Sequence, residues 1–515
     1  MNRKILKIGL DEWVCYAVII AACLKLPNAL QDIGNFAYAV SIAMSGLYLL
    51  WKLVLKRTMF KGTYNMWGIV LIGLFVISLF VNNSFFVMRN IRATICGTIF
   101  FFLLVQQGEN CDRKSLEKRI HIFNMIIIIS TLLYGITMLC FVFFKGQLYL
   151  TNFSGNTITI GWNVGRIMGI YAEGNLAGVA SFISFAIGLV EIAFFKFEKN
   201  RIKWLIYTNQ IVQFLCVALS SSRSACLALL VTVFVMVFII LKQREKRTWL
   251  LLLKAIGIDF VVGIILIVSS SLLYMIPTKV LRSVHFDMQN RSIEYIEGNY
   301  EEEENVSIGY RILTGKQAVA SETENSDGML HSQSVANNNE EIKNTEGLAS
   351  EEVNGSETIE SKLDEYSSGR VQIWKNGLEK LKEHMLVGSG LYGTENQYVL
   401  YVDEQGIERI EMNYVSMHSD YVQAYVAGGI LGGTAFITYI LYVLFNVKKY
   451  ASGILKFSNE DKIKVGSLFA FVCGMLFIGL LVCVFYFDVF NFGAIFWSYF
   501  GFLLFYTKIL YDERK

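Results

Sequence analysis

Residues 418–434 read His-Ser-Asp-Tyr-Val-Gln-Ala-Tyr-Val-Ala-Gly-Gly-Ile-Leu-Gly-Gly-Thr. Here a polar segment bearing one of only five histidines in the 515-residue chain runs directly into an apolar, glycine-rich stretch long enough to begin a membrane helix. Upstream lie two further elements, Ser368-Gly369-Arg370-Val371-Gln372-Ile373-Trp374 and Leu386-Val387-Gly388-Ser389-Gly390. The chain is 54% hydrophobic and 17% charged. Soluble domains have about 25% charged residues, and this balance defines a polytopic membrane protein. The net charge of +3 gives no reason to expect a nucleic-acid partner. Eight of nine cysteines sit in apolar runs, and no Cys-x-x-Cys or Cys/His cluster suggests disulfides or zinc.

A helix needs about 20 apolar residues to cross a bilayer. That length divides the chain into about twelve spans, near 12–30, 35–55, 64–82, 91–107, 120–144, 174–196, 203–220, 224–241, 249–276, 421–446, 464–486 and 490–509. Met1–Lys7 followed by an apolar run has the outline of a signal peptide. Asp11 and Glu12 interrupt it, and the run is expected to be the first span. With this count, the Lys/Arg-rich connections 52–61, 113–119, 196–203, 242–247 and 448–464 fall on one side together with both termini. That side is expected to be cytoplasmic. The expected fold is thus an all-α polytopic membrane protein of about twelve helices with both ends inside. Residues 1–276 form a first bundle, 277–420 a large extracytoplasmic loop, and 421–515 the last three spans.

The large loop has two parts. Residues 292–364 are acidic and rich in Ser, Asn and Gly with few aromatics, which describes a solvated insert. Residues 370–385 carry an apolar stripe of Trp374, Leu378, Leu381 and Met385, expected to form an amphipathic helix on the membrane surface or docked on the helix tops.

Three arginines, Arg166, Arg223 and Arg370, fall on the outer side against the orientation rule. Arg370 opens a helix, where amide groups, the helix dipole and a guanidinium can hold a phosphate. Each arginine has the alternative role of headgroup anchor or ion-pair partner. On a helix, His418, Tyr421, Val422 and Tyr425 would share a face, and Gly428-x-x-x-Gly432 with Gly429-x-x-x-Gly433 would let another helix approach closely. His418 is a candidate base at the water–lipid boundary, with Asp420 and Glu173 as competing carboxylates. Asp259 is an acid within a span, the sign of ion coupling, but it stands alone.

These elements together resemble the O-antigen polymerase/ligase superfamily, multi-spanning enzymes that act on polyprenyl-linked sugars. The ligases are marked by His, then Asn, Ser or Arg, nine residues, Gly-x-x-Gly and then Thr or Asn. His418-Ser419, Asp420 through Gly428, and Gly429-Ile430-Leu431-Gly432 match that spacing, while Gly433 delays the threonine to Thr434. Arg370–Trp374 and Gly388–Gly390 are similar to the family's loop elements. Arg166–Gly169 with Asn175 downstream, and Ser222-Arg223, are similar to two further positions. The resemblance implies a glycosyl transfer from a glycan on polyprenyl pyrophosphate, without cofactor or metal. It implies that Arg166, Arg223 and Arg370 stabilise the departing pyrophosphate, that His418 or Glu173 acts as base, and that Trp374, Asp420, Tyr421 and Asn175 line the substrate. Its expected partners are the lipid-linked glycan, the bilayer, and a flippase and chain-length regulator of the same pathway. A polymerase of capsule or exopolysaccharide repeat units is the reading these features favour. The alternatives are a ligase that moves finished glycan to another acceptor, or a lipid-linked oligosaccharide flippase. A transporter should show repeated halves and charged midplane helices; no half-to-half repeat is visible.

Overall fold

The computed structural model describes residues 9–60, 62, 64–81, 87–142, 144–145, 147–151, 157–163, 166–195, 200–242, 248–274, 279–280, 283–287, 292–296, 370–382, 384–390, 397–402, 408–413, 416–453, 457–487 and 490–515. Nine helices precede the large loop: α1 (Leu10–Leu24), α2 (Gln31–Trp51), α3 (Asn65–Val81), α4 (Val87–Ile99), α5 (Arg113–Cys140), α6 (Gly174–Phe194), α7 (Asn200–Leu219), α8 (Arg223–Lys242) and α9 (Thr248–Tyr274). Four more follow: α10 (Arg370–Leu381), α11 (Asp420–Ala451), α12 (Asn459–Ile478) and α13 (Phe490–Asp512). A helix occupies each of the apolar stretches of the sequence. Among the described residues, nine helices are long and apolar enough to cross a membrane.

Helix placement follows surface chemistry. A helix that is apolar all round belongs in a core, and α13 is buried along nearly its whole length. Trp497 sits at its centre against Phe101, Phe436, Tyr439 and Phe485, and its indole N–H donates to the Phe485 carbonyl at 2.9 Å. By contrast α9 packs on α7 and α8 and leaves Leu252, Ile256, Phe260, Ile264 and Val268 exposed, a face suited to lipid.

The two ends of the bundle differ. At one, charges are paired. Arg119 bridges Asp11 and Glu12, both at 2.9 Å, which explains two acids at the start of an apolar helix. Arg113 pairs with Glu117 and Asp461, Lys464 meets Glu117 at 3.1 Å, and the Tyr506 hydroxyl donates to Glu117 at 2.8 Å. The other end carries Lys25, the N-terminus of α6 and the N-terminus of α11.

Strands appear there that the sequence reading did not anticipate. Strands β1 (Phe144–Lys145), β2 (Gln147–Thr151), β3 (Thr157–Asn163) and β4 (Arg166–Gly169) precede α6. Strands β5 (Lys279–Val280), β6 (Ser283–Asp287), β7 (Ser292–Ile296), β8 (Gln397–Val402) and β9 (Glu408–Asn413) belong to the large loop. One sheet has the order β4-β3-β2-β6-β7, β1 pairs with β5, and β8 with β9. The parallel pairing of β2 with β6 ties the large loop to the connection that carries Arg166. The strands are short and alternating, with Leu150, Ile158 and Ile160 in a small core of their own, a signal lost in a 20-residue reading frame. The supposed solvated insert begins with β7. Its remainder, 297–364, lies outside the described residues.

Candidate functional site

The site is built at the N-terminus of α11. Ser419 is the N-cap, its Oγ accepting from the Val422 N–H. His418 therefore stands before the helix rather than on it, at φ 48°, and the shared face expected for His418 and Tyr425 does not form. A left-handed histidine is uncommon and persists where neighbours over-determine it. They do so here. The Met417 N–H donates to Gln423 Oε1 at 3.1 Å, and the Met417 carbonyl accepts from Trp374 Nε1 at 2.7 Å. On the other side the Asp420 N–H donates to the Gly479 carbonyl at 2.8 Å.

Asp420 is fully buried. Its carboxylate accepts from the backbone N–H groups of Val484, Phe485 and Tyr486, the last at 2.8 Å. The Tyr421 hydroxyl donates to the Leu476 carbonyl at 3.0 Å. Both side chains, read from sequence as substrate contacts, turn inward, Tyr421 fastening the start of α11 to the last turn of α12 and Asp420 fastening it to the α12–α13 connection. The reason is chemical: three clustered amide donors in a buried loop need an anion.

Nine residues after Asp420, about two and a half turns on, α11 breaks. Gly429 takes φ 67° and ψ −170°. In an unbroken helix the Ile430 and Leu431 N–H groups would bond to the Val426 and Ala427 carbonyls. Instead Ile430 donates to the Met385 carbonyl at 2.9 Å and Leu431 to that of Leu386 at 3.2 Å. The released carbonyls of Val426 and Ala427 accept from the N–H groups of Ser389 (3.0 Å) and Gly390 (2.9 Å). Segment 385–390 thus satisfies all four groups orphaned by the break. Gly388, at φ 67°, lies so close that a Cβ on it would collide with the Gly429 nitrogen, and one on Gly429 would collide with the Leu386 carbonyl. The expected small-xxx-small packing motif is replaced by a dovetail between two glycine pairs. Gly432 has no neighbour within 4 Å of its would-be Cβ.

This dovetail and Trp374 together seat α10. Arg370, Trp374 and Gly377 share one face, at i, i+4 and i+7. A Cβ on Gly377 would meet the Met417 sulfur, while Leu378 is 47% exposed. The helix ends at Leu381, short of the expected Met385, and it docks by a face running from Arg370 to Gly377 that keeps Trp374 of the expected stripe and leaves Leu378 out. Trp374 spends its indole N–H on positioning His418.

Arg370, Arg223 and His418 come together. Burial, and then the charge of Arg223, lowers the Arg370 guanidinium from its ordinary range, though it stays protonated. His418 presents surface to the outside, yet surrounding protein, and secondly the Arg370 charge, holds its imidazole below the usual value of 6.5. Among the described residues neither the His418 ring nor Arg370 has a hydrogen-bonding or carboxylate partner. The arrangement sets the Arg370 guanidinium and a neutral imidazole, open to an anion and a hydroxyl, beside the charge of Arg223.

Arg223 begins α8 after a turn in which Ser221 takes φ 52°. Gly178 of α6 packs on this turn so tightly that a Cβ would lie 2.6 Å from Ser220 Oγ and 2.7 Å from the Ser222 Cβ. The N-terminus of α6, with exposed Glu173 as N-cap residue and half-buried Asn175 in the first turn, is thereby set beside Arg223. Arg166 lies on β4 opposite Asn163, and its side chain is outside the described part of the structure. Ile170, four residues on, accepts from the Asn28 N–H at 2.8 Å. Met417, Gln423, Gly377 and Ser389 support the site without having been singled out in the sequence. Only Ser389, between two glycines, carried a local signal. Among the described residues no three His, Cys, Asp or Glu side chains cluster as metal ligands.

Residues 210–437 match the family model described as O-antigen ligase. The match takes in Arg223, Arg370, Trp374, His418 and the Gly388 and Gly429 elements, and it bears out the resemblance to the O-antigen polymerase/ligase superfamily. No curated protein matches the chain.

Proposed function

We propose that the chain is a membrane glycosyltransferase that extends a polyprenyl-pyrophosphate-linked glycan at the extracytoplasmic face. The observation that supports this most is the meeting of Arg223, Arg370 and His418 at the N-terminus of α11. In the reaction an acceptor sugar hydroxyl attacks the anomeric carbon of the donor. The bond from that carbon to the pyrophosphate oxygen breaks, and polyprenyl pyrophosphate leaves with the electron pair. Arg370 and Arg223 neutralise the charge that gathers on the pyrophosphate, in the place a metal takes in other transferases. His418 is held neutral by its surroundings and takes the hydroxyl proton. Leu378, Met385, Leu386, Ile430 and Leu431 form an exposed apolar edge beside these groups, suited to the isoprenoid chain. Arg166 is assigned to the same pyrophosphate and Glu173 to the acceptor hydroxyl as the alternative base, both from the adjoining corner of the backbone, and Asn175 lines the substrate. The bilayer is the second partner, and a flippase and chain-length regulator of one pathway would supply repeat units and limit the product.

The polymer-forming reading is tested on membranes containing the purified protein and a lipid-linked repeat unit, with products sized after mild acid release. A ladder of chain lengths supports polymerisation of capsular or exopolysaccharide units. An unlengthened glycan on a new acceptor makes the enzyme a ligase, and movement of the lipid across the bilayer without transfer makes it a flippase.

A further inference from the structure

Asp259 is an acid inside a membrane helix, and the chemistry at His418 makes no use of it. It lies in α9 about 16 Å from the Thr248 end and about 22 Å from the Tyr274 end. A hydrocarbon core is about 30 Å thick, so the carboxyl sits near its middle. Lysine and arginine can reach the interface from depth; aspartate is too short. Glu191, another acid deep in a span, is fully buried and satisfied within the bundle. It lies 2.6 Å from His121 Nδ1 and accepts from Asn124 Nδ2 at 2.7 Å. Asp259 differs: its Oδ1 is buried, and among the described residues its carboxyl has no hydrogen bond or ion pair.

Helical spacing shows which way it faces. Ala255 and Leu266, on one side of it, are buried toward α7 and α8, while Leu252 and Ile256, on the other, are exposed. Asp259 stands at the border, on the least buried of the nine long apolar helices. Gly263, one turn on along the same edge, has room beside it. A Cβ there would meet only Leu230 of α8, at 3.9 Å. A small residue next to a polar one lets a second backbone come close enough for polar groups to meet.

Lipid tails offer neither donor nor acceptor, so the group that answers Asp259 belongs to a protein helix. A carboxylic acid is donor and acceptor at once. Two copies of Asp259 facing each other across a two-fold axis therefore satisfy one another with no further group. A different protein would have to bring a polar or charged residue of its own to the same depth, which is rare.

We propose that α9 is the contact between two copies of this chain in the membrane, with the Asp259 carboxyls hydrogen-bonded to each other where Gly263 lets the helices close. This pairing does not depend on the transferase reading.

The test is Förster transfer between separately labelled copies of the full chain in vesicles of phosphatidylethanolamine and phosphatidylglycerol, followed as added lipid dilutes the protein. The parent should keep its transfer on dilution. Asp259→Leu and Gly263→Leu should need at least a tenfold higher protein-to-lipid ratio to match it. Asp259→Asn, whose amide is also donor and acceptor, should keep most of the parent's transfer. Unfolding temperature is read on the same vesicles, and if Asp259→Leu lowers it, Gly263→Leu decides alone. A parent whose transfer falls to that of random encounter overturns the proposal and leaves Asp259 to the helix of a different protein. Leucine variants that associate as tightly as the parent overturn it as well.

Discussion

His418 is held on three sides by bonds to its neighbours' backbones, and its imidazole is left without a protein partner among the described residues. Positive charge from Arg370 and burial both favour the neutral ring. The sign is definite: neutral imidazole persists below the ordinary value of 6.5. The folded state correspondingly loses stability as pH falls from that value toward the lowered one. Replacing Arg370 with Gln removes one of the two causes, and the His418 titration should move up toward the ordinary value while staying below it. NMR of ring-labelled histidine, assigned with His418→Gln, reads this directly. An unchanged titration would separate Arg370 from His418. At this scale the sequence singled out His418, Arg223 and Arg370, because histidine is rare in such a chain and arginine is unusual in connections expected on the outer side. It could not show that Asp420 and Tyr421 face inward. Their partners are backbone groups of residues 476–486, and donors of that kind leave no mark in side-chain identity.

Two elements meet at the break in α11, and their glycines have different tasks. Gly429 and Gly388 are bound by positive φ and by backbone contact, whereas Gly432 faces open space. Gly429→Ala or Gly388→Ala should cost about 2 kcal/mol or more, since strain and a backbone collision add. Gly432→Ala should be neutral or stabilising by up to about 1 kcal/mol, as expected for alanine in a helix. Thermal unfolding in detergent distinguishes these outcomes. Equal tolerance at Gly429 and Gly432 would mean that the dovetail does not exist. The spacing of these glycines was plain in the sequence, but spacing fits helix packing as well as a break. What decides between them is a segment some 40 residues upstream that exchanges hydrogen bonds with the helix. In the same way α10 was visible by its period, while its docking face was set by Met417 rather than by hydrophobicity.

The whole molecule is a helical bundle with charges paired at one end and with Arg223, Arg370 and His418 gathered at the other. The bundle was legible because runs of about 20 apolar residues have few alternatives in a membrane. The strands beside the start of α6 were not, being short and built on alternation. The anchoring of α11 on the α12–α13 connection joins the last three helices into one support. Asp420→Ala orphans three buried N–H groups and should lower stability by about 3 kcal/mol, read as a fall in unfolding temperature. A variant as stable as the parent would leave that support unexplained.

The most direct test of the central claim is single-turnover release of polyprenyl pyrophosphate from a labelled lipid-linked donor, measured with donor binding on the same samples. The parent should bind and release. His418→Ala should bind the donor normally and release it at least a hundredfold more slowly, as befits loss of a general base, and Arg370→Gln should bind it weakly. Release by His418→Ala at the parent's rate would contradict the account and move the chemistry to another part of the molecule.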